Sequence, residues 1–274
     1  MLKVLQVINS LSSGGAEVFV SQLVKALFSS CEVRLLTYAG ELDEKGSSLR
    51  EYLENNGVEY ISLNANSAAK RLAAPLAIAS VIRQWKPDVV HAHLPRSEQF
   101  VYFSSLLTGH KFKAVRTKHD ERPYSAFFLN RLMNRFYDRN IACSVSSYHA
   151  LQEMGLSDKS IVVKNGIDIG STRTIDAVEK SKIRSTIGVR EDRVMCLNIG
   201  RMELEETGFQ KAQDLMLIAL AESGLADVCH MVFLGCGSGR DTLQEQALKL
   251  GVSASVSFEG VVSNVPEYVA SADI

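Results

Sequence analysis

Net charge is almost absent from this chain. Thirty Lys and Arg side chains offset 31 Asp and Glu, leaving a formal charge of −1 over 274 residues. No overall field therefore draws the molecule to nucleic acid or membrane. Long apolar runs are absent too: the longest, such as AAPLAIASVI, fall far short of the roughly 20 residues a bilayer span needs. Cysteine is scarce and unpatterned. Cys31, Cys143, Cys196, Cys229 and Cys236 are an odd set, widely spaced and without C-x-x-C. That argues against a disulfide framework and predicts buried thiols in a reducing compartment. The opening MLKVLQVINSL has no extended apolar h-region and no A-x-A site, which predicts a cytoplasmic protein without a signal peptide. Internal repeats and low-complexity tracts are missing as well.

What is present is the balance of an ordinary globular protein, 46% apolar and 22% charged, in a chain long enough for two domains. Short β-branched runs alternate with longer amphipathic stretches. KVLQVI, EVRLLTY, EYISL, DVVHAH, KAVRTKH, IACSVS and SIVVKN are separated by helix-like segments. Such alternation predicts βαβ units and a mostly parallel sheet, covered by helices on both faces. Residues 166–178, GIDIGSTRTIDAV, are rich in turn formers and read as a linker. The expected organisation is a Rossmann-like domain over residues 1–165 and a second over 179–274. The second shows about three strands, half of a six-strand Rossmann sheet. The chain closes on VPEYVASADI, a pattern that predicts a following strand.

Several short motifs carry chemistry. In INSLSSGGAEVF, Gly14 and Gly15 turn the chain from a strand into a helix. This is either a tight turn or a helix N-terminus open to an anion. In VVHAHLP, His91 and His93 share one strand face. They read as a structural pair, as contacts at a strand's carboxyl end, or as two metal ligands without an evident third. His119 in RTKHDE ends another strand and reads either as a loop histidine or as a hydrogen-bond partner for a substrate hydroxyl. Arg201 in NIGRMELEETGF either grips phosphate oxygens or pairs with Glu203 or Glu205. In VFLGCGSGRDTL, Gly235, Gly237 and Gly239 follow a strand, but G-x-G-x-G is not the dinucleotide spacing.

Taken in order, these pieces resemble glycosyltransferase family 4, the retaining sugar-nucleotide enzymes of the GT-B fold. The matching stretches are GGAE (14–17), PDVVHAH (87–93), T-x-H-D (117–120), VKNGIDI (163–169), IGR (199–201) and the glycine loop with its following helix and strand. The resemblance implies two Rossmann-like domains facing across a cleft, with the nucleotide-sugar mostly on the second and a glycan or lipid-linked acceptor on the first. It implies donor binding by Gly14, Gly15, Asn165, Gly166, Arg201, Gly235 and Gly237, and a sugar or acceptor side formed by Glu17 and His93. His119 would hydrogen-bond the transferred sugar, and Arg201 would neutralise the diphosphate leaving group. Neither a metal nor another cofactor is implied; the UDP- or GDP-sugar is itself the substrate.

Two departures from the family pattern stand out. The family places a Lys just before the glycine that follows the Arg; here Thr207 precedes Gly208, behind Glu205 and Glu206. The family also continues past Y-x-x-ADI into a strand and a loop whose two glutamates hold the donor sugar and ribose. The resemblance therefore predicts a transferase of surface polysaccharide, lipopolysaccharide or glycolipid assembly. The alternatives are a truncated, non-catalytic remnant that keeps acceptor or membrane binding, and a GT-B sugar-nucleotide epimerase.

One local charge excess interrupts the neutral balance. Lys111, Lys113, Arg116, Lys118, Arg122, Arg131, Arg135 and Arg139 face only Asp120, Glu121 and Asp138. Arg131, Arg135 and Arg139 recur every fourth residue, a single stripe on a continuous helix. Phe127, Phe128, Leu132, Met133 and Phe136 lie beside it. The segment reads as a core helix with a basic back, or as an interfacial element on anionic lipid at the inner face of the cell membrane.

Overall fold

Strands that alternate between two helix layers must be apolar on both faces, and the first half of the chain follows this rule. The computed structural model describes every residue except 13, 42, 122–127, 167–173, 206, 207 and 210. It divides into two compact units, Met1–Ile167 and Asp168–Ile274. The stretch 166–178 spans that division, and its residues 167–173 lie outside the described residues.

In unit 1 the described strands are β1 (Lys3–Ile8), β2 (Glu32–Thr37), β3 (Glu59–Ser62), β4 (Val89–His93), β5 (Lys113–Lys118), β6 (Arg139–Ala142) and β7 (Ser160–Val162). They form one parallel sheet in the order β3-β2-β1-β4-β5-β6-β7. The connecting helices are α1 (Gly15–Phe28), α2 (Glu44–Asn55), α3 (Ala68–Trp85), α4 (Pro95–Thr108), α5 (Phe128–Phe136) and α6 (Val145–Glu153). Asp43, Ser67 and Ser144 cap α2, α3 and α6 by accepting from backbone N–H groups in the first turn.

Period-two alternation sorts the strand side chains. Val4, Ile8, Val33 and Leu35 pack with Val20 and Val24 of α1 and Leu49 and Leu53 of α2. Leu5, Val7, Val90 and Ala92 pack on the opposite face with Ile78, Ile82, Phe100, Val101 and Met133 from α3, α4 and α5. Gln6, His91, His93 and Thr117 share the parity of the α1/α2 face, whereas Arg116 has the parity of the other. The strand order turns back between β1 and β4, the switch point at whose carboxyl edge open α/β sheets bind ligands.

Unit 2 contains α7 (Ala177–Thr186), β8 (Val194–Ile199), a small antiparallel hairpin of β9 (Leu204–Glu205) and β10 (Gly208–Phe209), α8 (Gln213–Glu222), β11 (Cys229–Leu234), α9 (Arg240–Lys249), β12 (Val256–Gly260) and α10 (Val265–Ser271). Its described sheet is β12-β11-β8, parallel throughout. The backbone after α10 turns onto the other edge of β8. Ile274 donates to the Met195 carbonyl at 3.2 Å and accepts from Leu197 at 2.9 Å, the pattern of a parallel ladder. Asp273 secures this turn by accepting from Met195 N–H at 2.8 Å, Arg184 at 2.7 Å and Lys180 at 2.9 Å. Each unit is thus Rossmann-like, the pair of domains expected of a GT-B-like chain.

Two expectations are corrected. The cysteines are not buried: Cys31, Cys143, Cys196 and Cys229 are half-buried and Cys236 is exposed, all as free thiols. The arginine stripe is also broken. α5 ends at Phe136, because Tyr137 buries completely and Asp138 fixes the chain to β5 by accepting from Ala114 N–H at 2.8 Å. Arg139 therefore opens β6 while Arg131 and Arg135 remain on the helix. Met133 is buried, Phe136 packs against the same core and Phe128 is 75% exposed; Arg122 and Phe127 lie outside the described residues. Arg116 and Lys118 are also removed from the basic surface by burial. Arg116 is enclosed by Glu98, Asn134 and Asn140, and Lys118 donates to Asp120.

Candidate active site

Three histidines of unit 1, His91, His93 and His119, meet at the carboxyl edge of β4 and β5. His91 and His93 lie on one strand face, with tilted rings whose centroids are 4.1 Å apart. His91 Nε2 lies 2.8 Å from Thr117 Oγ1 on β5. His93 is fully buried, with Nε2 2.7 Å from Gln6 Oε1 and Nδ1 3.1 Å from His119 Nε2. His119, half-buried just beyond β5, receives the edge of the Phe19 ring from α1 at 5.8 Å. Its Nδ1 has no hydrogen-bond partner among the described residues and is not enclosed.

Burial keeps this cluster neutral. It pushes His91 down to about 3, with a contribution from His119, and His93 well below the ordinary imidazole range. His119 is pushed down to about 4 by burial, opposed by the neighbouring Asp120 carboxylate. At neutral pH the site therefore offers neutral imidazole chemistry. The third histidine missing from the sequence reading of His91 and His93 is present in space, but both nitrogens of His93 are engaged. Among the described residues no group of three or more His, Cys, Asp or Glu side chains is arranged to hold a metal.

The other candidates of unit 1 divide sharply. His93, expected on the sugar side, is enclosed and reaches a ligand only through His119. Gly14 caps α1 and Gly15 begins it. A Cβ on Gly14 would lie 2.1 Å from Glu17 Oε2, so Glu17 folds its carboxylate back over the helix N-terminus. There the helix dipole favours a negative charge. Around Gly15 the space is open. Asn165 and Gly166 are exposed in the coil after β7. Sequence reasoning missed Gln6, a polar residue in the apolar interior of β1, which is itself the signal that could have revealed it.

In unit 2 Arg201 leaves the carboxyl end of β8, exposed and without a side-chain partner among the described residues. It is therefore not paired with Glu203, which instead accepts from Ser238 at 2.8 Å. The glycine loop supports this corner by backbone packing. A Cβ on Gly235, whose φ is +124°, would lie 2.2 Å from Gly200 O, and one on Gly237 would lie 2.4 Å from Met202 O. Met202 donates to Cys236 O at 3.0 Å, and Gly239 donates to Met202 O at 2.9 Å. The glycines therefore allow two loops to touch, which fixes the backbone on either side of Arg201. Thr207, read as the missing lysine position, lies outside the described residues.

Comparison with known proteins decides the family. The model of Glycosyltransferase Family 4 matches residues 13–171, more than half of the chain. The chain belongs to Glycosyltransferase Family 4. Among similar proteins, the lipopolysaccharide core biosynthesis glycosyltransferase LpsE of Rhizobium meliloti is 27% identical over 269 residues, covering 95% of this chain and 68% of LpsE. The putative glycosyltransferase EpsD of Bacillus subtilis is 24% identical over 220 residues, covering 75% of this chain and 56% of EpsD. Among solved structures, Anabaena HepE in complex with UDP and glucose superposes with a TM-score of 0.80 at 20% identity, over 100% of this chain and 73% of HepE. The match to HepE speaks for a shared fold. None of the described helices of this family member is long and apolar enough to cross a membrane.

Proposed function

We propose that this chain is a retaining glycosyltransferase. In this reading it moves a sugar from a UDP- or GDP-sugar to a glycan or lipid-linked acceptor in surface polysaccharide or lipopolysaccharide assembly. The observation that carries it is His119: a neutral imidazole at the carboxyl edge of a doubly wound sheet, held from behind and open at one nitrogen. Such a group hydrogen-bonds a sugar hydroxyl without adding charge. The names of the relatives, which concern lipopolysaccharide in LpsE and UDP with glucose in HepE, support the substrate class.

The chemistry assigned to each unit is simple. The bond from the sugar C1 to the β-phosphate oxygen breaks, and its electron pair leaves with the diphosphate. Arg201 of unit 2 stabilises the charge gathering on that group, an interaction that strengthens in the transition state. The acceptor oxygen bonds to C1 on the same face, and its proton passes to the departing phosphate oxygen. His119 of unit 1 orients the sugar.

The test is to incubate the chain with UDP- and GDP-sugars and lipid-linked acceptors and to follow nucleoside diphosphate release and the configuration of the product. Release with the donor configuration kept in the product, lost in Arg201→Ala and reduced in His119→Ala, is the expected result. Inversion at C1 would remove the retaining assignment. Isomerised sugar-nucleotide without transfer would favour epimerase chemistry, and no turnover with any donor would leave a binding protein.

A further inference from the structure

Gln6 stands at the centre of β1 with its side chain turned to the α1/α2 face, and it is 1% exposed. A buried amide in an otherwise apolar strand needs an account. Its Oε1 lies 2.7 Å from His93 Nε2, and His93 Nδ1 lies 3.1 Å from His119 Nε2. Its own Nε2 is buried without a partner.

A neutral imidazole has one N–H and one lone pair, on different nitrogens. An amide oxygen only accepts, so the hydrogen of His93 sits on Nε2. His93 Nδ1 then carries the lone pair, and His119 Nε2 must donate to it. The one hydrogen of neutral His119 is thereby spent inward, and its open Nδ1 is an acceptor. Burial supports the neutral form along the chain, since it lowers the proton affinity of both rings. The Gln6 amide nitrogen has no partner, so Oε1 is the atom through which the amide acts on His93.

We propose that Gln6 is a positioning residue that, through His93, locks His119 in its Nε2–H tautomer, so that the site presents an acceptor for a ligand hydroxyl and not a donor for a phosphate oxygen. Assigning that hydroxyl to the transferred sugar rests on the transferase reading; the tautomer does not. Turned over, the amide would donate to His93, both histidines would reverse, and His119 would present Nδ1–H, which suits phosphate.

The two arrangements differ in where hydrogens sit, which long-range proton–nitrogen correlation on histidine-labelled protein reads directly at pH 7 without ligand. The expected spectrum has His119 Nε2 protonated and Nδ1 bare. Gln6→Met removes the acceptor and should shift His119 toward a mixture of tautomers, while Gln6→Glu keeps an acceptor oxygen and should restore the wild-type pattern. An Nδ1–H form in the wild type overturns the proposal, and so does an unchanged His119 spectrum in Gln6→Met. Should that variant not fold, the wild-type spectrum alone decides. In a second arm, UDP-glucose should move the Nδ1 resonance and UDP alone should not. Equal movement by both would overturn the hydroxyl assignment. Silence to UDP-glucose and to a GDP-sugar would count against the transferase reading while leaving the tautomer result standing.

Discussion

The aliphatic stem of Lys211 lies across the face of Gly200, so close that a Cβ at position 200 would stand 2.8 Å from Lys211 Cγ. Gly200 is the residue before Arg201, and neither Arg201 nor Lys211 has a side-chain partner among the described residues. Under the donor role proposed for Arg201, Lys211 is the candidate for the second positive charge that the family pattern places at position 207. Lys211→Ala should lower kcat/KM for the nucleotide-sugar by roughly tenfold, against roughly a hundredfold or more for Arg201→Ala. Gly200→Ala should reproduce the Lys211 effect by displacing the stem, and Lys211→Arg should retain most activity. Unaltered diphosphate release in Lys211→Ala would remove the lysine from the site.

The histidine cluster makes unit 1 acid-sensitive. His91 and His119 bind protons near pH 6.5 when unfolded but only near about 3 and about 4 when folded. Between these limits the unfolded state holds more protons, so stability rises with pH and is lost as pH falls below about 6.5. For His91 alone the loss between pH 6.5 and 5 is about 2 kcal/mol. Urea unfolding at stepped pH should show this slope, and His91→Gln should flatten it. A flat profile down to pH 5 in the wild type would contradict the buried neutral cluster.

On the other face of the same sheet, Arg116 and Glu98 form a buried ion pair at 3.2 Å, each side chain 1% exposed. Arg116 also bonds Asn140 and Asn134 at 2.7 Å and lies 4.9 Å over the Tyr137 ring. Removing one partner strands a charge, so Glu98→Ala should cost about 3–5 kcal/mol. Replacing both partners by apolar residues should cost less than that. The midpoint of urea unfolding measures both, and a Glu98→Ala protein as stable as the wild type would show that the charge is not confined.

Of the basic stretch, Phe128, Arg131 and Arg135 remain on the outer face of α5. Two arginines near an anionic surface are worth about 2 kcal/mol together. Co-sedimentation with phosphatidylserine vesicles should therefore be detectable at low salt, weak at high salt, and lost in the Arg131→Glu, Arg135→Glu variant. Equal binding to neutral vesicles would leave α5 as a core helix only, the role that Met133 and Phe136 already show.

The pairing of the backbone after α10 with the edge of β8 depends on Asp273. Burial alone would raise its carboxyl, but the hydrogen bonds from Arg184, Lys180 and Met195 N–H hold it well below the ordinary range. Asp273→Asn should lower the melting temperature of unit 2 and speed amide exchange at Met195 and Leu197. Exchange as slow as in the wild type would show that the terminal backbone stays in place without the carboxylate.

The alternation of strands and helices, and hence two parallel α/β units, is legible along the chain. Each apolar run needs a helix on either side, and the order of apolar and polar residues along the chain carries that information. The sequence also determined that His91 and His93 share a face, because strand parity is a local property, and it marked His119 and Arg201 as residues at strand ends. Tertiary structure decided the rest. The glycines at 235 and 237 read as ligand-facing in a linear motif, yet the backbone they admit is that of residues 200–202, distant in sequence. The periodic arginines read as one stripe, but the helix stops at Phe136, Tyr137 packs buried against Arg116, and Arg139 falls on β6. Gln6 is visible in the sequence as a polar residue in an apolar strand, but its role is not, because that role lies in hydrogen bonds to β4 and, through His93, to the residue after β5. Parity and propensity are written along the chain; which donor meets which acceptor is fixed only when strands far apart in sequence lie side by side.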